Sequence, residues 1–265
     1  MLKKIALFSA LAAIMGTTYA YKAEVGISYE KNEIFDEVDS KSIAVDGTYY
    51  LKSVELKNSP LNEAAFLERA SNFNAKISHS DLFGELETDS FNLGLEYFAP
   101  NSNFYINANL GHAQLDVVSD KVKFNNYAVE VGYQPINGLL VAAGLAGVNF
   151  NVNNGPRLSK NDPTLRAKYV TTAGKYDVNV EAKALFADKT AYGVGADLYL
   201  DKTLSVGLGY QNQNHDITYT IFDFPDLDYF TVRAKKFFTP QISVEANVNF
   251  GGDFDGYALR AGYRF

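Results

Sequence analysis

The stretch that decides the fold is the final segment, GYALRAGYRF, at residues 256–265. Alternate residues from Tyr257 to Phe265 are apolar or aromatic, whereas the residues between them include Arg260 and Arg264. A period of two predicts a β-strand with one apolar face and one polar face. The remaining question is which environment covers the apolar face.

The same alternation recurs along the chain. It is found in residues 21–30, 42–51, 90–98, 126–133, 176–186, 191–200, 204–210 and 242–250. In the first of these segments the predicted apolar face carries Tyr21, Ala23, Val25, Ile27 and Tyr29. The opposite faces hold small, polar and charged residues. These patterns predict an all-β protein.

Three features favour a transmembrane barrel over a soluble β-sandwich, which also alternates polar and apolar residues. The predicted strands run about 9 to 11 residues, the length of a tilted membrane crossing. Aromatic rings stand at the ends of the apolar faces, as Tyr176 and Phe186 do, and match the aromatic girdles of membrane barrels. Small residues dominate the polar faces, which suits a crowded and curved lumen.

Loop lengths give a further test. The short connections at residues 100–103, 135–138, 173–175, 201–203 and 239–241 all follow even-numbered strands, and the odd-numbered connections are mostly longer. Outer-membrane barrels have short periplasmic turns and longer extracellular loops. We therefore predict a single transmembrane antiparallel β-barrel of about 14 strands, with 12 as the alternative. The last strand should close against the first, because an unpaired edge is costly in lipid.

The N-terminus predicts export. Residues 1–20, MLKKIALFSALAAIMGTTYA, place Lys3 and Lys4 before an apolar run that is too short to span a bilayer, which indicates a signal peptide cleaved after Ala20. Residues 21–265 then form one barrel in the outer membrane of a Gram-negative bacterium. The net charge of -7 and a pI of about 5.0 argue against a nucleic-acid partner. Without cysteine, no disulfide stabilises the exported chain.

One connection breaks the pattern of short periplasmic turns. Residues 52–70 follow the second strand, and they contain Ser59 and Pro60, which resemble an N-cap and a first helical residue. A short helix near residues 59–70 is therefore expected. It either packs under the barrel rim or enters the barrel mouth and narrows or gates it. The candidate gate or plug residues are Ser59, Pro60, Leu61, Glu63, Phe66 and Leu67.

Charged residues on the polar faces are the candidate pore lining. By alternation they are Lys22, Glu24, Asp46, Lys76, Glu96, Glu130, Arg166, Lys168, Asp177, Glu181, Lys183, Asp197, Arg233, Lys235, Glu245, Arg260 and Arg264. Acids and bases are nearly balanced, so one interpretation is that ion pairs brace the wall. The other is that six bases in the second half of the chain line one side of a water-filled path opposite the acids and create a transverse field. These are Arg166, Lys168, Arg233, Lys235, Arg260 and Arg264.

The blocks SPLNEAAFL at residues 59–67 and FADKTAYGVGADLY at residues 186–199 resemble the general porins of gamma-proteobacteria, in particular the Acinetobacter-type outer-membrane channels. The resemblance extends from residue 21 to residue 265. It implies a 14-stranded barrel that acts as a narrow passive channel, with gating by segments within or across the barrel. The extracellular loops look shorter than in larger members of the family. The resemblance therefore does not fix whether this channel rests in the open or the closed state. The resemblance also implies that Tyr257, Tyr263 and Phe265 form the signal read by the barrel-insertion machinery.

Enzymatic and cofactor motifs are absent from the sequence. It contains no G-x-S-x-G elbow, H-E-x-x-H pair, phosphate loop or C-x-x-C pair. His79, His112 and His215 fall near the extracellular ends of strands, and we interpret them as interfacial or loop residues. We therefore expect no enzyme activity, no cofactor and no metal.

The predicted function is passive diffusion of water, ions and small polar solutes through a narrow lumen. The alternative is a closed structural or adhesive barrel that acts through its surface loops.

Residues 217–230 are unusually apolar for a loop, so they either fold inward as a lid or stand above the membrane as a hairpin. The expected partners are outer-membrane lipid and lipopolysaccharide, the barrel-insertion machinery and small solutes, and a monomer is expected rather than a trimer.

Acidic residues dominate two extracellular connections, residues 81–89 and 222–228, which contain no Lys or Arg. A negative mouth attracts cations, so we predict a weak cation preference. Reversal potentials measured in a KCl gradient across a planar bilayer test this prediction. A potential that favours chloride would contradict it.

Overall fold

Backbone hydrogen bonding organises the whole molecule. The computed structural model describes residues 20–34, 38–82, 84, 86–117, 120–152, 157–213 and 227–265. Within these residues each strand pairs with its two neighbours in antiparallel orientation, and the sheet closes on itself as a barrel. The predicted fold class and the count of 14 strands are confirmed, and the alternative of 12 is wrong.

The strands are β1 (Ala20–Ile34), β2 (Val38–Glu55), β3 (Asn72–Leu82), β4 (Leu86–Phe98), β5 (Phe104–Val117), β6 (Asp120–Ile136), β7 (Leu139–Val152), β8 (Arg157–Ala173), β9 (Tyr176–Phe186), β10 (Thr190–Asp201), β11 (Leu204–Gln213), β12 (Leu227–Phe237), β13 (Ile242–Gly251) and β14 (Phe254–Arg264). Between β2 and β3 lie a 3₁₀ turn (Leu61–Glu63) and the helix α1 (Ala64–Leu67). Among the described residues, no helix is both long and apolar enough to cross a membrane.

The barrel closes where β1 pairs with β14, as predicted. The register runs from Glu24 opposite Arg264 to Ile34 opposite Phe254. The terminal Phe265 continues the pairing, because its carbonyl accepts hydrogen bonds from the backbone N–H groups of residues 22 and 23 at 2.7 and 2.9 Å. The final aromatic strand is therefore bonded up to its last residue.

Apolar side chains cover the outside of the barrel. The exposed ones include Ile27, Ile77, Leu110, Val129 and Leu208. Rings border this belt at both ends. At the extracellular end Tyr210 lies 5.0 Å from Phe230, which stacks on Phe250 at 5.9 Å, and at the periplasmic end Phe104 packs against Tyr133 at 5.5 Å between centroids. A ring-bordered apolar belt is the surface of a transmembrane barrel.

Much of the sequence predicted as extracellular loop is in fact β-hairpin. Residues 31–41 connect the first two strands and were predicted to form the first extracellular loop. In the structure β1 and β2 continue into this connection, and their pairing extends to Ile34 opposite Val38. Strands reach 17 and 18 residues in β6, β8 and β2 because the hairpins extend past the membrane belt. His215, most of the predicted lid at residues 217–230, and the predicted signal peptide up to residue 19 lie outside the described residues.

At the start of β1, two residues lie on the opposite face of the barrel from the one predicted. The register between β1 and β2 shifts between Tyr21 and Ala23, and this irregularity turns the Tyr21 side chain inward, where it is buried in a cluster with Tyr50. The predicted lipid-facing position of Tyr21 is therefore wrong. Lys22, predicted to line the pore, instead places its Nζ atom 5.4 Å from the ring centroid of the exposed Tyr49 on the outer face.

An ion-pair network braces the closing seam from inside. Arg260 on β14 donates to both Asp46 carboxylate oxygens on β2 at 2.6 and 2.9 Å, and to Glu24 on β1 at 3.0 Å. It reaches across β1 because Gly26 lies beneath it, where a Cβ atom would approach Arg260 Nη2 to 2.5 Å. The network thus ties together the three strands at the seam.

Replacing Arg260 by Gln should destabilise the barrel by about 2 kcal/mol, because it removes hydrogen bonds to two partly buried carboxylates. The free energy of unfolding in detergent can be measured by urea titration with circular dichroism. The matched control is Lys31→Gln, which removes the exposed Lys31–Asp39 pair and should have little effect. Equal effects of the two substitutions would contradict the bracing role of Arg260.

Candidate functional site: the lumen and the crossing segment

Charged side chains line the lumen in pairs. Each of the six bases predicted to form one side of the path contacts a carboxylate: Arg166 with Glu130, Lys168 with Glu63, Arg233 with Asp197 and Glu181, Lys235 with Glu245, Arg260 with Glu24 and Asp46, and Arg264 with Glu24. The bases are therefore not separated from the acids across the lumen, and the transverse-field interpretation is wrong. Strand order and register cause this, because they place an acid on the adjacent strand or the next but one, and Lys168 meets Glu63 of the segment between β2 and β3.

The wall at β9–β12 repeats the device seen at the seam. Arg233 on β12 donates to both oxygens of Asp197 on β10 at 2.6 and 2.8 Å, and to Glu181 on β9 at 3.1 Å. Gly207 on the intervening β11 makes room, since a Cβ atom there would lie 2.1 Å from Asp197 Oδ1. The guanidinium group therefore lies against the wall and leaves the lumen centre clear.

A second network joins β4, β5, β6 and β8. The Tyr105 hydroxyl donates to Glu96 at 2.6 Å and accepts a hydrogen bond from Arg166 at 2.8 Å, and Arg166 pairs with Glu130 at 3.0 Å. Asn72 donates to the other Glu96 oxygen at 3.0 Å. On this side, hydrogen-bonded side chains again hold the predicted pore-lining charges against the wall.

The remaining predicted lumen charges lie at other positions on the wall. Lys76 pairs in register with Asp46 and is exposed, and Lys183 pairs in register with Arg166 and is also exposed. Asp177 lies at the periplasmic rim, where it binds Lys202 and accepts a hydrogen bond from Thr172 at 2.7 Å.

Residues 56–71, here called the crossing segment, connect β2 to β3 and include the predicted gate residues. The helical part is shorter than predicted and begins later. Pro60 precedes the 3₁₀ turn in an extended conformation, and no side chain caps it, so Ser59 is not the N-cap. Lys57 at the start of the segment binds Glu68 at 2.8 Å, and this hydrogen bond raises the pKa of Lys57.

The crossing segment docks on the far wall of the barrel through Glu63. This carboxylate is only 2% exposed. It accepts a hydrogen bond from the Tyr199 hydroxyl at 2.6 Å and pairs with Lys168 at 2.7 Å. Tyr199 lies on β10, six strands from β2 around the barrel, so the segment spans the mouth instead of lying under the rim.

Backbone groups of Leu61 complete this contact. The Leu61 N–H donates to the carbonyl of Lys202, in the β10–β11 turn, at 2.8 Å. Its carbonyl accepts a hydrogen bond from Arg264 at 2.9 Å. The Arg264 guanidinium lies between the rings of Tyr21 and Phe237, at 4.5 and 4.4 Å from their centroids. The penultimate residue of the chain thus links the crossing segment to the seam.

Aromatic contacts hold the other side of the segment. Phe66 packs against Phe98 on β4 with centroids 6.5 Å apart, and Lys168 Nζ lies 4.9 Å from the centroid of the Phe66 ring. Arg69 donates to the carbonyl of Ser102, in the β4–β5 turn, and lies over Phe98. The segment is therefore anchored to opposite walls at the periplasmic end.

Three cavities lie within the barrel. The larger two have volumes of about 510 and 490 Å³, and a smaller one of about 190 Å³ is lined partly by Asn62 and Glu63 of the crossing segment. The 510 Å³ cavity shares lining residues with each of the others, so the three adjoin one another; the 510 and 190 Å³ cavities are mostly polar, whereas the lining of the 490 Å³ cavity is mostly apolar. The crossing segment bounds that space on the periplasmic side.

The described histidines lie away from the lumen. His79 Nδ1 is 2.9 Å from Asp89 Oδ1, and His112 Nδ1 is 2.8 Å from Asn125 Oδ1, both on the outer face near the extracellular end. His79 thus has a carboxylate partner that its sequence neighbours did not reveal. Within the described part of the chain, no cluster of three potential metal ligands occurs.

The three aromatic residues of the predicted insertion signal do not lie together. Tyr263 and Phe265 stack at the periplasmic end with centroids 6.1 Å apart, whereas Tyr257 packs 6.2 Å from Tyr29 near the extracellular end. Reading by the insertion machinery stays a prediction.

Sequence reasoning from charge missed two tyrosines. Tyr105 and Tyr199 are buried in the lumen, where each donates its hydroxyl to a carboxylate. Both tyrosines occupy positions on the polar faces of their strands. An aromatic residue at such a position is the sequence signal that could have identified them as lumen residues. Strand alternation assigns the face, but it does not identify the carboxylate that the ring will meet.

A closed 14-stranded barrel with an apolar outer belt and a charged lumen defines the class of outer-membrane channel proteins. A family model described as "Putative general bacterial porin" matches residues 1–163, and the chain belongs to this family.

Solved structures agree with this class. The Acinetobacter baumannii outer membrane protein Omp33 is 25% identical, with a TM-score of 0.69, over 94% of this chain and 100% of Omp33. A deletion mutant of TodX, a monoaromatic hydrocarbon channel of Pseudomonas putida, has a TM-score of 0.51 at 9% identity over 98% of this chain and 93% of that one, which shows the fold alone. No curated protein matches the sequence.

Loss of the Glu63 charge should loosen the crossing segment. Because the chain has no cysteine, Leu61→Cys supplies a single buried reporter. In that background Glu63→Gln should speed labelling by a maleimide about tenfold, the factor for about 1.4 kcal/mol of lost docking free energy. The control Glu68→Gln removes only the contact with Lys57 and should label at the parent rate. Equal rates in all three proteins would show that Glu63 does not hold the segment.

Proposed function

We propose that this porin is a passive diffusion channel for water, ions and small polar solutes, and that the crossing segment is its periplasmic gate. The polar lumen provides the path from the extracellular side. In the conformation described here, the crossing segment closes the path at the periplasmic end, and its displacement opens the channel.

The observation that carries this proposal is the way the segment is docked. Its polar contacts to the far wall are the Glu63–Lys168 ion pair, the Tyr199 hydroxyl at Glu63 and the hydrogen bond from Leu61 N–H to Lys202, and the Leu61 carbonyl is bonded to Arg264 at the seam. Water can replace each of these contacts. The strand pairing that closes the barrel does not include these contacts, because each strand is bonded to its two neighbours through the backbone. A segment that can leave while the barrel stays closed has the property required of a gate.

The alternative function, a closed structural or adhesive barrel, would use the same docked segment as a permanent plug. The two functions differ in whether release of the segment produces conductance. Ion pairs that lie flat on the wall favour the channel, since they leave cavities of about 510 and 490 Å³ above the segment, the first of them mostly polar.

A reversible cross-link tests the gate directly. Leu61 and Lys202 lie side by side through their backbone hydrogen bond, and in the variant Leu61→Cys, Lys202→Cys a disulfide can join them. Single-channel currents are recorded in a planar bilayer under oxidising conditions and then after addition of a reductant. We expect silence when oxidised and conductance steps when reduced.

The same protein serves as its own control, because only the redox state changes. Steps that persist after oxidation, with the disulfide verified by gel mobility, would show that the path bypasses the segment. Silence in both states, and also in a variant without residues 59–70, would favour the closed barrel that acts through its loops.

A further inference from the structure

The part of the lumen directly above the crossing segment has the composition of a binding site. The 190 Å³ cavity is lined by three basic and four acidic residues together with Asn62, Asn179 and Ser205. It opens into the 510 Å³ cavity, with which it shares Lys168, Glu181, Arg233 and Glu245. A solute that enters from the extracellular side reaches this cavity before it meets the gate.

Asn179 is the unexplained group in this cavity. Its side chain is 2% exposed, and its Nδ2 donates to Asp197 at 2.9 Å, but its Oδ1 atom accepts no hydrogen bond. A buried acceptor without a donor is costly, and almost all buried polar atoms in proteins are bonded. The Oδ1 atom is therefore poised to accept a hydrogen bond from an N–H or O–H group of a bound solute.

The carboxylates beside Asn179 favour a positively charged donor. Glu181 is the next lumen-facing residue on β9, and its side chain remains 42% exposed although it accepts a hydrogen bond from Arg233 at 3.1 Å. Acidic residues outnumber basic ones in the smaller cavity by four to three. An ammonium group can bond to Asn179 Oδ1 and to Glu181 together, and it balances the local charge.

One step further out along β9, the charge changes sign. Lys183 is the next lumen-facing residue after Glu181 and lines both larger cavities. The described residues give its ammonium group no ion-pair partner, and it is exposed to the lumen. Lumen-facing residues of one strand are about 7 Å apart, so an amide oxygen, a carboxylate and an ammonium group follow one another along the path.

We propose that this cavity binds small zwitterions, of the size and charge of a free amino acid. The ammonium group of the solute binds Asn179 and Glu181 at the inner end, and its carboxylate binds Lys183 at the outer end. A neutral polyol satisfies neither charge, an anion meets the acidic inner end, and a cation leaves Lys183 unpaired. The inference deepens the proposed channel function, because it names the class of solute that occupies the path in front of the gate.

Equilibrium binding tests this inference without requiring the gate to move. Saturation-transfer difference NMR on the refolded chain in detergent compares four solutes of similar size: L-serine (zwitterion), L-serinamide (cation), glycerate (anion) and glycerol (neutral). We expect the strongest transfer to serine. Lys183→Gln should weaken serine binding about fivefold, the upper figure for an ion pair at a solvent-exposed side chain, and should leave serinamide unchanged.

Two further variants complete the design. Asn179→Leu removes the acceptor and should weaken serine and serinamide alike. The matched control is Lys76→Gln, the same change at an exposed lumen lysine on β3, across the barrel and not among the residues that line these cavities. It should bind serine as the parent does.

Two results would overturn the proposal. One is saturation transfer to serine that is no stronger than transfer to glycerol, and the other is an equal effect of Lys183→Gln and Lys76→Gln on serine binding. The outcome is separable from that of the proposed function. Redox-switched conductance without serine binding refutes the zwitterion site alone. Serine binding without conductance in either redox state supports the site and refutes the channel.

Discussion

The structure depends on one constraint, that every backbone N–H and C=O group within the lipid must be bonded inside the protein. A sheet meets it only by closing, and here the closure joins the first and last strands, with the Phe265 carbonyl as the final acceptor. Closure then fixes the outer face as apolar and the inner face as polar. It also encloses a lumen narrow enough for one short segment to cross.

The wall keeps its charges out of the centre of that lumen by a repeated arrangement. Arg260 and Arg233 each reach over a glycine on the neighbouring strand to a carboxylate on the next one. Pairing the charges along the wall offsets part of the cost of removing them from water. In the proposed channel, we therefore expect selectivity to depend on the charges that remain incompletely paired, such as Lys183 and Glu181, and not on the net balance of the lining.

The crossing segment couples three parts of the molecule. It contacts the far wall through Glu63, and through Leu61 it contacts Arg264, which also binds Glu24 across the seam. It also forms the floor of the polar cavity through Asn62 and Glu63. The proposed solute cavity, the proposed gate and the seam therefore share side chains, so we expect solute binding to change the docking of the crossing segment without any change in strand pairing.

Period-two alternation in the sequence by itself determined the fold class, a count of about 14 strands with 12 as the alternative, and the face of nearly every residue, because strand geometry is local. The cost of an open edge in lipid gave the closing partner of the last strand. The unusual length of residues 52–70 marked the crossing segment, although the sequence did not decide whether it packs under the rim or enters the mouth. Only the tertiary structure decided that Glu63 meets Tyr199 and Lys168, that the bases pair along the wall, and that an irregularity turns Tyr21 inward. These outcomes depend on contacts between residues far apart in sequence, which barrel closure and register create and which no local pattern encodes.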